Sequence, residues 1–205
     1  MSRGNFLDFL RDNVVLFDGA MGTALYARGI FVNRCYDELN LSKPDLVKEI
    51  HQAYIQAGAD VIETNTFGAN RFKLKAHGYS EELPIINLRG AQIAREVAGE
   101  ELWVAGSVGP LGIRIEPWGP TSESEAEEAF GEQIRALVDG GVDIIILETF
   151  SDLTEIHQAI KAARGNCSLP VIAQMTIDES GTTNYGTSVE QIARQLTEFG
   201  ADVVG

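Results

Sequence analysis

Three phrases echo one another along the chain: Ala57-Gly58-Ala59-Asp60-Val61-Ile62, Gly140-Gly141-Val142-Asp143-Ile144-Ile145 and Phe199-Gly200-Ala201-Asp202-Val203-Val204. Each reads as a helix stop, a turn and a buried strand, because glycine closes a helix in the left-handed conformation and the β-branched run after it suits a strand covered on both faces. Strand, helix, strand with connections of this size implies parallel pairing and right-handed crossovers. The unit repeats without a break, and no GxGxxG phosphate loop follows the first strand. The rhythm is therefore that of an α/β (β/α)8 TIM barrel rather than a doubly wound sheet.

In order, the pattern predicts a short helix over 5–12, with Phe6, Leu7 and Leu10 packed beneath the first strand, and that strand over 14–17. A long loop over 19–40 leads to a helix that Ser42, Pro44 and Asp45 start and Gly58 stops. Strand 60–63, a partly helical connection over 67–79, helix 82–98 and strand 102–107 follow. A turn-rich segment reaches Pro120, and Ser122 with Glu125 forms a capping box for a helix ending at Gly140-Gly141. Strand 142–148, helix 152–163, strand 171–176, polar loop 180–186, helix 188–199 and strand 202–204 complete the chain. That makes six strands of eight. A barrel stopping there would expose two open parallel edges, so residues 1–205 are expected to be one barrel domain truncated after strand six, within a longer polypeptide. A complete six-stranded open sheet is the competing architecture.

With 205 residues and 44% hydrophobic composition the chain can bury a sizeable core. Thirty acids against sixteen bases, a formal charge of -14, argue against nucleic acid or an anionic membrane as partner. Cys35 and Cys167 show no CxxC pattern and read as reduced thiols. Neither a signal peptide nor a membrane span is evident, and a cytoplasmic location is the default expectation.

Three apolar runs end in an acid at the carboxyl end of a strand: Asp18, Glu63 and Glu148. Ligand sites of parallel α/β proteins lie at that end. With Asn65, Thr66, Ser107, Thr149 and Thr176 beside them, these acids would form a ring suited to an ammonium group or a hard divalent ion. The structural alternative is that each acid caps a helix or bonds loop amides. The small residues Gly19, Ala20, Met21 and Gly22 either satisfy tight packing or let backbone amides approach a ligand carboxylate. His51, His77 and His157 fall away from the strand ends, and no Ser-His-Asp or Cys-His arrangement can be assembled there.

These residues resemble a known family. Asp18-Gly19-Ala20-Met21-Gly22-Thr23, Leu39-Asn40-Leu41-Ser42-Lys43-Pro44, the phrase from Ala57 through Glu63-Thr64-Asn65-Thr66-Phe67, Gly109-Pro110, Glu148-Thr149 and the stretch 178–186 are similar to homocysteine S-methyltransferases. Within that family the chain most resembles the bacterial type whose barrel precedes a methylenetetrahydrofolate reductase, or the first module of methionine synthase. The resemblance implies a homocysteine-binding barrel that transfers a methyl group to the homocysteine thiol, giving methionine, with zinc held by three cysteines to generate the thiolate. It implies that Asp18 and Glu148 hold the substrate ammonium, that backbone around Gly19, Ala20, Met21 and Gly22 lies by the amino-acid end, and that Glu63, Asn65 and Thr66 shape the floor and donor side. Homocysteine and a methyl donor are the implied partners, the donor being a methylated folate, methylcobalamin, betaine or S-methylmethionine, with fusion to a folate-binding or reductase module.

In the family the first zinc cysteine follows strand six and a cysteine pair lies near strand eight, and neither Cys35 nor Cys167 matches them. The resemblance therefore places the zinc cysteines beyond Gly205. Zinc is expected in the full-length protein, with none bindable at a family site in residues 1–205 and no activity from those residues alone. Two other readings remain open at this point. One is a magnesium-dependent lyase or aldolase using Asp18, Glu63 and Glu148; the other is a non-catalytic module whose open edges pair with another chain.

Overall fold

The computed structural model describes residues 4–205. Five parallel strands form one sheet in chain order: β1 (Val61–Glu63), β2 (Trp103–Val108), β3 (Ile144–Phe150), β4 (Val171–Met175) and β5 (Val203–Val204). The helices are α1 (Phe6–Asp12), α2 (Met21–Ala27), α3 (Leu39–Ser42), α4 (Pro44–Gln56), α5 (Arg71–Ala76), α6 (Leu83–Ala98), α7 (Glu123–Asp139), α8 (Leu153–Asn166) and α9 (Val189–Glu198). Every residue of β2 is buried, as expected of a parallel strand covered on both faces. On one face Val104, Ile145 and Val171 pack with Phe130, Ile134 and Leu137 of α7 and with Ile156 and Ile160 of α8. Alternate residues, Val61, Ala105, Ile144, Ile146 and Ile172, point to the other face. There Phe6 of α1 meets Trp103 edge-on at 5.6 Å, which places α1 beneath the sheet as the sequence predicts.

The echoing phrases have a common hydrogen-bonding function. Asp143 donates its backbone N–H to the Val104 carbonyl at 2.8 Å and accepts the Val104 N–H on Oδ2 at 2.8 Å. Asp202 makes the same two bonds with Val171, at 2.9 and 2.8 Å, and Asp60 makes them with Leu16, at 2.8 and 2.9 Å. Each aspartate therefore clasps a residue at the start of the preceding strand or strand-like segment, at the end opposite the strand-end acids. The glycine two residues earlier supplies the necessary turn, with φ of +102° at Gly58, +88° at Gly141 and +99° at Gly200. Arginines from the helices tighten two of the clasps. Arg95 binds Asp143 and the Gly141 carbonyl, and Arg164 binds Asp202 at 2.6 Å and the Gly200 carbonyl.

Residues 14–17 depart from the predicted strand, and the strand count is five, not six. Phe17 alone bridges Val61, although the Leu16 carbonyl accepts from Asp60 and Val61, and Asp18 donates to the Val61 carbonyl. The segment has a neighbour on one side only, Asp60 takes the Leu16 N–H with its side chain, and Val14 and Leu16 are 94% and 55% exposed. Val15 and Phe17 still pack on the core beneath the sheet, so the side chains alternate as in a strand while the backbone ladder stops at one bridge.

The region 19–40, expected to be a loop, contains α2 and the start of α3. α2 begins at Ala20 without a side-chain cap, and its place is set by tertiary packing of Leu25 on Val47 and Ile50. Ser42 does not cap α4. It ends α3, Lys43 takes the cap position without a side-chain bond, and Pro44 opens the helix. Elsewhere the predicted starts hold: Ser122 accepts from the Glu125 N–H, and Ser188 forms a full capping box with Gln191.

The clasps should carry measurable stability. Asp143→Ala removes the carboxylate bonds to the Val104 N–H and to Arg95, leaving Arg95 only its carbonyl partners, so a loss of about 2–4 kcal/mol is expected from the usual value of charged hydrogen bonds. Urea unfolding would show it as a lower midpoint at unchanged slope. Asp8→Ala, which breaks the exposed Asp8–Arg11 pair, should change stability by less than about 1 kcal/mol.

Candidate functional site

A cavity of about 720 Å³ opens at the carboxyl ends of the strands. All ten residues singled out in the sequence as substrate-binding line it: Asp18, Gly19, Ala20, Met21, Gly22, Glu63, Asn65, Thr66, Ser107 and Glu148, with Thr149 beside them. Thr176 does not. It follows the last residue of β4, and its hydroxyl bonds Ser151 and the Phe150 carbonyl.

Gly205, the position after which the zinc cysteines are expected, also lies outside this cavity. It continues the β5 pairing with β4: its N–H donates to the Ala173 carbonyl and its carbonyl accepts the Met175 N–H, both at 3.0 Å. It lines an apolar pocket with Met175, Ile177, Val189, Ile192 and Val204, and the Gln174 side chain lies close by.

The carboxylates reach the cavity from three elements. Asp18 follows the Phe17 bridge and accepts the Glu63 N–H on both oxygens, at 3.1 and 3.2 Å. Ser107, near the end of β2, donates to Glu148 Oε1 at 2.6 Å. Neither acid caps a helix, so capping does not account for them. None of the three pairs with a lysine or arginine among the described residues. Burial, with Glu148 adding repulsion, pushes Asp18 up to about 7. Burial pushes Glu63 up as well, and the charges of Glu148 and Asp18 add to it. None of the three acids thus has a cation bonded to it, and the raised Asp18 and Glu63 carboxyls retain protons instead.

The floor beneath the acids is a closed polar network. Thr64 and Thr66 share a hydroxyl–hydroxyl bond of 2.5 Å, Thr66 donates to the Ser107 carbonyl at 2.8 Å, and the Ser107 N–H donates to Thr64 at 3.0 Å. Gln133 of α7 donates to the Thr66 carbonyl at 2.7 Å. Asn65 spends both amide hydrogens, on the Tyr36 carbonyl at 2.7 Å and on Asn40 Oδ1 at 3.2 Å, which leaves its own Oδ1 as an acceptor. Asn40 in turn donates to the Asn65 and Ile86 carbonyls. Thr149 has φ of +65° where β3 bulges between Leu147 and Phe150, a strained conformation for a β-branched residue at the mouth. The packing reading of Gly19 is met: a Cβ there would lie 2.8 Å from the Tyr54 ring, whose hydroxyl bonds the Ala20 carbonyl.

Several lining residues carried no sequence signal. Cys35, Tyr36, Asp37 and Lys73 join the wall because α3 and α5 fold against the strand ends. His77 also lines the cavity, contrary to its expected place away from the strand ends, as the residue that caps the short helix α5 at its C-terminus. His51, expected at the surface or core edge, is fully buried in α4 with neither ring nitrogen bonded among the described residues, and burial pushes it down to about 4. His157 stacks on Phe199 with ring centroids 3.9 Å apart.

The thiols do not suit a zinc–thiolate centre. Cys35 is buried beside Asp37, and burial pushes its thiol up to about 11, disfavouring the thiolate that zinc requires. Cys167 ends α8 and donates to the Ala163 carbonyl. Among the described residues no three His, Cys, Asp or Glu side chains are grouped to hold a metal ion. That includes Asp18, Glu63 and Glu148, the expected magnesium ligands, which share the cavity without forming a coordination group.

Fold and site together define a parallel α/β protein with a polar small-molecule cavity at the carboxyl ends of its strands. Residues 15–205 match the profile described as homocysteine S-methyltransferase, and the chain belongs to that family. It is 32% identical, over 218 aligned positions, to methionine synthase of Mycobacterium tuberculosis (strain ATCC 25618 / H37Rv), an alignment covering 98% of this chain and 18% of that protein. The Mycobacterium leprae (strain TN) methionine synthase is 31% identical over the same shares. The chain thus spans less than a fifth of the length of these curated relatives. The oxidized form of the homocysteine methyltransferase MmuM from Escherichia coli superposes with a TM-score of 0.86 at 24% identity, covering 98% of this chain and 76% of that one, a likeness of fold. No described helix is long and apolar enough to cross a membrane.

The raised carboxyls set a pH dependence. Asp18 stays protonated in the folded chain up to about 7 but ionises near its ordinary value of 3.8 when unfolded. The folded state therefore holds the extra proton across that window, and the stability it contributes is complete below about 4 and lost as pH rises to about 7. Asp18→Asn should abolish that loss, raising the melting temperature at pH 8 by the equivalent of roughly 2–4 kcal/mol while matching wild type near pH 4.

Proposed function

We propose that the cavity receives homocysteine for methyl transfer to its thiol, giving methionine, within a (β/α)8 barrel of which the five strands and residues 14–17 form an arc. On this reading residues 4–205 belong to one homocysteine-binding barrel domain. The observation that carries it is a trio of carboxyls in one cavity, none of them paired with a lysine or arginine among the described residues. A substrate ammonium supplies the missing cation. Asp18 and Glu148 hold that ammonium, each already oriented by a hydrogen bond of its own, from the Glu63 N–H and the Ser107 hydroxyl. Glu63, Asn65 and Thr66 shape the floor, and the backbone from Gly19 to Gly22 lies close to the amino-acid end.

The same charge orients the substrate. A thiol must lose its proton to attack a methyl group, and carboxylates beside it would raise its pKa further from neutrality. The ammonium end therefore enters the acidic pole and the thiol points away from it, toward the methyl donor. The zinc that the family uses to stabilise such a thiolate finds no matching donors in Cys35 and Cys167, so these residues bind and orient while deprotonation lies outside their chemistry.

Calorimetric titration with homocysteine tests the assignment. Glu148→Gln and Asp18→Asn should each weaken binding about 10- to 100-fold, the usual value of a charge-assisted hydrogen bond. Affinity should rise with pH through about 7 as Asp18 ionises, since the ammonium binds the deprotonated form. Unchanged affinity in both variants would remove the carboxylates from the binding site.

A further inference from the structure

Lys73 lies on the cavity wall, yet nothing in the ammonium-binding reading uses it. Its Nζ sits 4.6 Å from the centroid of the Phe67 ring. Among the described residues it makes no hydrogen bond, and no carboxylate comes within ion-pair distance. The other cation of the wall, Arg34, is engaged by Glu38 at 3.6 Å. The nearby acids are occupied elsewhere: Asp37 accepts the Gly68 N–H at 2.9 Å, and Glu155 accepts the Leu111 N–H at 2.8 Å. They attract Lys73 without bonding it, while partial burial disfavours its charge.

The position of this ammonium is also prepared. Two glycines seat it: a Cβ at Gly112 would press on the Lys73 methylenes at 3.1 and 3.3 Å, and one at Gly109 would run into the Phe67 ring. Ring and stem pack where those Cβ atoms would be, so the side chain has already lost much of the freedom that binding would otherwise remove. A held, half-buried cation lacking an acceptor is what an anionic ligand group requires.

We propose that Lys73 is the carboxylate-docking residue of the cavity that Asp18, Glu63 and Glu148 also line. The carboxylate has two chemical sources: the α-carboxylate of the amino acid that the acids hold by its ammonium, or a carboxylate of the methyl donor. Only the first source rests on the homocysteine reading.

The test is NMR of the lysine 13Cε resonances in the 205-residue chain, with Lys73 assigned through Lys73→Met. Three probes are titrated: homocysteine, its decarboxylated analogue 3-aminopropane-1-thiol, and betaine, which carries a carboxylate but no thiol. The Lys73 resonance should respond to a carboxylate-bearing probe and not to the decarboxylated one. A response to homocysteine alone assigns the amino acid as source; a response to betaine assigns the donor and stands even if homocysteine does not bind. Lys73→Met should weaken the responding probe about tenfold and leave 3-aminopropane-1-thiol within twofold. A Lys73 resonance that moves with none of the probes, or equally with the decarboxylated one, overturns the proposal. Failure of homocysteine and 3-aminopropane-1-thiol to bind at all strikes the ammonium reading as well, and the betaine titration alone then decides the Lys73 assignment.

Discussion

The architecture depends on an aspartate that closes a ring of two hydrogen bonds with a residue at the start of the strand before it. The bonds of Asp143 to Val104, Asp202 to Val171 and Asp60 to Leu16 fix where neighbouring strands begin relative to one another. Parallel ladders have evenly spaced bonds and little intrinsic preference for one register, so a side-chain lock at the start of a strand decides which residues reach its far end. A slip of one residue would turn Glu63 or Glu148 away from the cavity. The clasps at one end of the sheet and the acids at the other are thus parts of one arrangement.

The acidic mouth runs against stability. Asp18 and Glu63 are half-buried with no cation paired to them among the described residues, and Thr149 is held in a left-handed conformation beside them. These costs are offset by the apolar layers around Phe130, Phe150 and Trp103. Strain and uncompensated charge collect at the cavity, the distribution expected where structure has been shaped by a ligand.

Much of this was legible in the residue order, for a definite reason. Asp18, Glu63 and Glu148 each end an apolar run, and a parallel strand turns position in sequence into position in space. The repeated Gly-x-Asp phrases marked strand starts, although their clasping bonds became visible only with the sheet assembled. The departures share a cause. Residues 14–17 look like a strand because they are apolar, but burial on one side only leaves them as a single bridge. The segment from Gly19 to Gly22 looks like a turn because it is small, but Leu25 finds a core and draws a helix from it. Asn40, Gln133 and Lys73 come from helices whose docking sets their reach, and no local pattern records that distance.

Asn65 has a consequence of its own. With both amide hydrogens committed to Tyr36 and Asn40, it cannot rotate to offer a donor without breaking two buried bonds, so it shows the cavity only lone pairs. Beside it the raised Asp18 and Glu63 carboxyls keep their protons. An N–H group brought to Asn65 meets an acceptor whatever the pH, whereas one brought to Asp18 meets a free carboxylate only once that group has ionised, above about 7. The floor thus carries one fixed acceptor beside neighbours whose hydrogen-bonding sense a single proton reverses.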